Sequence, residues 1–350
     1  MTQLADRVEW GFPIARFADP GMLRLMLASA VVVNHFSRFS IGTIGVYLFF
    51  VLSGYWIDRL WHRKYIHTNA PYRVFLISRM WRLLPAFLVV NMVTLAIARL
   101  PSELPWHFWL SNVGIIGYST LQDYRPLVPA WSLDIELQFY ILVPLLFMLA
   151  AKGGWWWRGV IWAAAVLALG CVPFLAWPPI HSSILNYTLF FFAGVFASQA
   201  NLRVPAWAAI LSVMLGIGTI AIILLMPEWR GMLLGGMERN PMLIYNAGIS
   251  ALIAVFFIPF VLSTVTRRAD GFDRVCGDLS YVVYLLHWPA LALIGIYGIN
   301  LMAFPARMGL TALVVAGVYV AGYIIWRFID RPLNDARGRY VERQVRPKVA

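Results

Sequence analysis

The sequence predicts an all-α integral membrane protein of about ten transmembrane helices with both termini cytoplasmic. Three observations predict it. Of 350 residues, 61% are hydrophobic and 13% charged, whereas a soluble domain carries about 25% charged and about 45–50% apolar residues. Apolar runs of about 20 residues, the length that crosses a bilayer, recur along the chain. Lys and Arg are concentrated in alternate connections, the pattern that orients multi-pass chains.

The composition excludes a water-soluble domain and a disordered chain, which needs low hydrophobicity. The 16 Trp, 15 Tyr and 22 Phe suit many crossings of the membrane interface. In that setting the net charge of +12 reads as a topology signal, and nucleic acid is not an expected partner. Cys171 and Cys276 lie far apart, with no CxxC or Cys/His ligand spacing, so neither a disulfide framework nor a metal site is expected. The first 20 residues carry Asp6, Arg7, Glu9, Arg16 and Asp19 without an apolar core. No cleavable signal peptide is expected, and the first apolar stretch reads as an anchor.

The spans run, in order, over 21–40, 43–60, 76–98, 131–150, 155–176, 183–200, 206–226, 242–264, 279–297 and 307–328. The longest connection, 101–130, holds four prolines and the aromatic cluster Trp106 to Trp109, which is placed in the interface or as a re-entrant segment. Three segments follow: 1–20 as a cytoplasmic N-terminal segment, 21–329 as the transmembrane domain, and 330–350 as a basic cytoplasmic tail. With the N-terminus inside, 22 of the 28 basic residues fall on the cytoplasmic side, as the positive-inside rule requires.

Ionisable residues inside spans are costly and therefore functional candidates. Helix 1 carries Arg24 and His35. Eleven residues is within about 20° of three full turns and about 16 Å along the axis, so both face one way at different depths. Ser53 and Gly54 on helix 2 let a helix or a ligand approach closely. Arg79 and Arg82, three apart on helix 3, are neighbours on one face and suit bidentate phosphate recognition. On helix 4, Asp134 and Glu136 point to opposed faces, and the deeper Glu136 needs a partner such as His35 or an arginine. Tyr281, Tyr284 and His287 recur every three residues as a polar ridge on an apolar helix. His62, His67, His107 and His181 read as surface or interface residues.

Together these elements resemble the membrane-bound acyltransferase family 3, which includes O-acetyltransferases of polysaccharides. The resemblance covers about residues 20–332. It rests on Arg24 and His35, the aromatic run Phe49 to Tyr55 with its Leu-Ser-Gly, Arg79-x-x-Arg82-x-x-Pro85, Trp131 to Tyr140, and Ser280 to His287. Many members carry an extracytoplasmic hydrolase-like domain; ending at residue 350, this chain resembles the stand-alone form.

The resemblance implies a cytoplasmic acyl-CoA, usually acetyl-CoA, and a sugar-hydroxyl acceptor on a cell-surface polysaccharide, lipid-linked saccharide or glycosylated metabolite. Arg24, Arg79, Arg82, Ser53 and Gly54 are the candidate CoA-binding residues. His35 is the candidate general base, or the acyl carrier in a two-step variant. Glu136 would orient His35 or bind the sugar. Trp131, Asp134, Tyr281, Tyr284 and His287 are the acceptor-binding candidates, with Tyr284 or His287 also placed to bind an oxyanion. A bacterial inner membrane is the expected location, and a homo-oligomer is compatible with the sequence. The rival is a flippase for a lipid-linked saccharide; it would show inverted repeats and broken paired helices, and the sequence shows neither.

Overall fold

The computed structural model describes residues 18–121, 124–153, 159–160, 183–235 and 240–345. They form helices α1 (Pro20–Phe36), α2 (Gly42–Arg63), α3 (Pro71–Ile97), α4 (Trp106–Gly114) and α5 (Ala130–Gly153). After these come α6 (Thr188–Gln199), α7 (Ala206–Leu225), α8 (Asn246–Thr264), α9 (Gly271–Ile296), α10 (Phe304–Ile325) and α11 (Arg331–Gln344). Helices stand on nine of the ten apolar stretches; the stretch 155–176 lies, apart from residues 159–160, outside the described residues. Among the described residues, six helices are long and apolar enough to cross a membrane: α3, α5, α7, α8 with its preceding turn, α9, and α10 running on into α11.

Helix α9 starts eight residues before the expected span. The Asp270 side chain accepts the Asp273 backbone N–H at 2.7 Å, an N-cap that begins the helix in polar sequence. Hydropathy does not register these charged first turns. The Asp273 carboxylate in turn accepts the N–H groups of Gly21 and Met22, at 3.0 and 2.7 Å. It thereby satisfies the exposed donors at the start of α1 and fixes α1 along α9.

Helix α2 is the centre of the bundle, packed on α1, α6, α8 and α5. Its closest neighbour is α6, and two glycines make that approach possible. A Cβ on Gly54 would lie 1.9 Å from the Phe191 carbonyl oxygen, and one on Gly194 2.0 Å from that of Val51. Gly54→Ala must therefore push two backbones apart, at an overpacking cost of about 1–3 kcal/mol. A lower thermal midpoint in detergent is the expected readout, and an unchanged one would refute this account of the crossing.

The aromatic connection forms the short helix α4, held on α3 where the Asn91 side-chain amide donates to the Asn112 carbonyl and side-chain oxygens at 2.9 and 3.1 Å. Trp106 is 75% exposed. Segment 330–350, expected as a tail, is helical over α11 and docked. A single π-helical stretch, Trp326–Asp330, joins it to α10. Tyr340 then packs on Trp81 of α3, with ring centroids 5.8 Å apart.

Candidate functional site

A cavity of about 310 Å³ opens between α1, α2, α3, α5 and α9. Arg24, Arg79 and Arg82 line it with Ser53, Glu136, Tyr140, Ser132, Tyr281 and Tyr284. Three guanidiniums thus face one carboxylate in a largely apolar wall, an electrostatic setting made for an anion.

The three arginines differ in what already holds them. Arg82 donates to Asp330 at 3.1 Å and to Asp278 at 3.3 Å, and Asp330 is 2% exposed. Arg79 is buried against the rings of Tyr65, Phe75 and Tyr140 and donates to the Tyr65 hydroxyl at 2.9 Å. Its Nε has no partner among the described residues. Burial raises the Tyr65 phenol, but the neighbouring Arg79 guanidinium and its hydrogen bonds hold it below its usual value. Arg24 lines the cavity with no hydrogen-bond or ion-pair partner among the described residues. Arg24 and Arg79 therefore have donors to offer a ligand, while Arg82 is engaged.

Glu136 accepts hydrogen bonds from Ser53 and Tyr140 on the same carboxylate oxygen. These are its hydrogen-bond partners; of the partners the sequence offered, His35 or an arginine, it shares the cavity with the arginines. Asp134 points the other way, as the two-residue spacing predicts. It accepts the N–H groups of Gly117 and Ser119 and the Ser119 hydroxyl, at 3.0, 2.8 and 2.5 Å, and so pins the turn after α4. Trp131 packs on Phe50 and Tyr187, and Gly54 lies in the crossing with α6. None of these three lines the cavity.

At the far end of the cavity the Tyr284 hydroxyl lies 2.7 Å from that of Ser132 and donates to the Pro129 carbonyl at 3.2 Å, while its ring meets Phe49. One turn beyond, His287 stacks on His35, with ring centroids 5.1 Å apart and planes 24° from parallel. The Trp288 ring stands edge-on to His35 at 5.3 Å and its indole N–H donates to the Pro126 carbonyl at 2.8 Å. His287 is wholly buried. Its Nδ1 lies 2.5 Å from the Tyr284 carbonyl oxygen, which assigns the proton to Nδ1. Nε2, which has no partner among the described residues, is then a lone-pair acceptor. In this tautomer His287 cannot donate to an oxyanion; it can accept a hydroxyl proton.

The arrangement is thus an arginine-lined cavity that reaches the Tyr284–Ser132 hydroxyl pair, with a pair of stacked imidazoles one helical turn further along α9. Among the described residues there is no group of three or more His, Cys, Asp or Glu side chains placed to hold a metal. Sequence reasoning missed Tyr65, Tyr140, Asp278 and Asp330. The last had a signal: an acid immediately after the final apolar run needs a cation, and Arg82 is one.

The sequence profile described as "Acyltransferase domain" matches residues 18–326. The chain belongs to the acyltransferase 3 family. The "Putative membrane-bound transacylase BcsY" of Komagataeibacter xylinus is 26% identical over 361 residues, covering 94% of this chain and 86% of that protein. A "Putative O-acetyltransferase" of Staphylococcus aureus (strain COL) is 31% identical over 178 residues, 45% of this chain and 30% of the other. "O-acetyltransferase OatA" of Staphylococcus aureus is 23% identical over 381 residues, 90% of this chain and 57% of that protein. The chain therefore spans 30% of the length of the first of these staphylococcal relatives and 57% of the second. No solved structure matches. With six apolar membrane-length helices among the described residues and a "Putative membrane-bound transacylase" among its relatives, this family member is a multi-pass membrane protein.

Proposed function

We propose that the chain transfers an acyl group, acetyl in the simplest case, from cytoplasmic acyl-CoA to a sugar hydroxyl of a cell-surface or lipid-linked saccharide. The observation that carries this reading is the cavity of Arg24, Arg79 and Glu136 ending at Tyr284, with the stacked His35–His287 pair one helical turn beyond. The O-acetyltransferase and transacylase names of the relatives support the reaction class. The reading includes ten spans, both termini cytoplasmic and a bacterial inner membrane, supported by the 22 of 28 basic residues on one side.

Arg24 and Arg79 bind the donor's phosphates, and the thioester arm extends past Ser53 toward Tyr284. The acceptor hydroxyl sits at the imidazole pair with its proton directed at the His35 ring, and His287 Nε2 accepts from a neighbouring hydroxyl of the same sugar. His35 takes the hydroxyl proton as the oxygen attacks the thioester carbonyl. The carbon–sulfur bond breaks, and the imidazolium returns the proton to the departing thiolate. An ester and free CoA leave, with no net proton exchange. Holding both substrates in reach of each other can be worth more than the proton transfer itself, up to about 7–11 kcal/mol against about 3–5 kcal/mol.

The test is purified protein in liposomes with labelled acetyl-CoA and a crude saccharide extract. Free CoA and label in saccharide are the expected products; saccharide flipping without CoA release from any acyl-CoA would overturn the reading. Arg24→Ala and Arg79→Ala are each expected to raise the KM for acyl-CoA about tenfold or more, the size of one charge-assisted hydrogen bond, with kcat little changed. Unchanged KM in both would remove the donor from this cavity.

A further inference from the structure

Helix α11 lies beyond the 18–326 match to the family, yet it packs on α3, the helix that carries Arg79 and Arg82. It is tied there at both ends. At its start the Asn334 amide donates to Asp330 at 2.8 Å, on the same carboxylate oxygen that receives Arg82. At its end the Gln344 carbonyl accepts the Asn69 N–H at 3.0 Å, and Thr68 bridges Val345. Asn334, Arg337 and Val341 are three and four residues apart, which puts them on one face. Val341 is buried, and Tyr340 beside it packs on Trp81. That face is turned to α3.

Arg337 stands in the middle of it. It lies between Asn334, which shares an Asp330 oxygen with Arg82, and Tyr340, which packs on Trp81, so it faces the turn of α3 that bears Arg79 and Arg82. Its Nε is buried and it has no hydrogen-bond or ion-pair partner among the described residues. The Nε of Arg79, a residue 9% exposed, is likewise without a partner there. Two guanidiniums with unsatisfied buried donors, held near one another and near a third, repel unless an anion lies between them. Asp330 and Asp278 are already paired with Arg82 and do not supply it.

We propose that Arg337 and Arg79 form a phosphate site across the α3–α11 junction, and that it takes a phosphate of the acyl donor. The inference rests on the acyl-CoA reading above and adds to it a ligand-binding residue outside the family-matched segment. Phosphate is the fitting chemistry, because its several oxygens can accept from two guanidinium forks at once. A lipid headgroup carries the same chemistry, so the test separates the two sources.

CoA and inorganic pyrophosphate are titrated into the purified full chain in neutral detergent, in wild type, R337Q and R337K. R337Q is expected to weaken both about tenfold or more, with R337K retaining most of the affinity. The unliganded R337Q is expected to melt no lower than wild type, because one of three clustered positive charges is gone. Equal binding of both probes by wild type and R337Q overturns the proposal. So does a fall in unliganded melting temperature with probe affinities unchanged, which is the mark of a purely structural arginine. A loss confined to stabilisation by phosphatidylglycerol nanodiscs over neutral ones assigns the site to lipid and overturns the donor role. If wild type binds pyrophosphate through Arg337 but not CoA, the phosphate site stands and the acyl-CoA reading falls. If CoA binds wild type and R337Q alike, the reverse holds.

Discussion

His35→Ala is expected to lower kcat for acyl transfer about 10²–10⁴-fold, the range of a positioned general base, while leaving the fold and the KM for acyl-CoA near wild type. The separation follows from position. His35 is absent from the cavity lining and stacks on His287 past Tyr284, so its removal leaves the donor's phosphate ligands untouched. The ring is only half-buried, and its loss opens no large core void. Single-turnover measurement of CoA release in liposomes checks this. Retention of more than a tenth of the wild-type rate would move the base to His287, whose Nε2 lone pair is the other one available. If His35 instead carries the acyl group, a labelled enzyme survives denaturation in wild type and is missing in His35→Ala; repeated failure to trap it under single-turnover conditions leaves direct transfer.

Arg82→Ala is expected to behave differently from Arg79→Ala, although the two residues sit in one motif. Arg82 bridges Asp278 and Asp330, and Asp330 is buried at the joint between α10 and α11. Removing the arginine leaves a buried carboxylate without its cation, a loss of about 3–5 kcal/mol. Asp330 also holds Asn334, so α11 loses its anchor at the same stroke. Low folded yield and a large fall in thermal midpoint are expected, with Arg82→Lys milder. Adding Asp330→Asn to Arg82→Ala is expected to recover part of the stability, because the uncompensated charge goes. Additive losses in that double variant would show that the pair contributes nothing through its charges. An effect of Arg82→Ala confined to the KM for acyl-CoA, with normal stability, would mean that the guanidinium serves ligand and not fold.

The contrast between these arginines shows where reading the chain by itself reached its limit. Arg79 and Arg82 share a face at a spacing of three, and nothing local separates them. Their roles diverge because Asp278 and Asp330 arrive from α9 and the α10–α11 joint, 196 and 248 residues away. The same is true of Ser53 and Gly54. Adjacent on α2 and both small, they turn to different surroundings, Ser53 to the cavity and Glu136, Gly54 to the backbone of α6.

Composition, hydrophobic run length and basic-residue asymmetry were enough to show a helical membrane protein, because the bilayer imposes those constraints segment by segment. Periodicity also paired Arg24 with His35 and set Asp134 and Glu136 on opposed faces, since both are properties of one helix. Only the tertiary structure showed that Glu136 belongs to Ser53 and Tyr140, that His35 belongs to His287, and that the basic tail is a docked helix. Each depends on which helices lie side by side. Among neighbours in a bilayer that choice rests on close packing and a few long-range polar contacts, which leave no periodic trace in the chain.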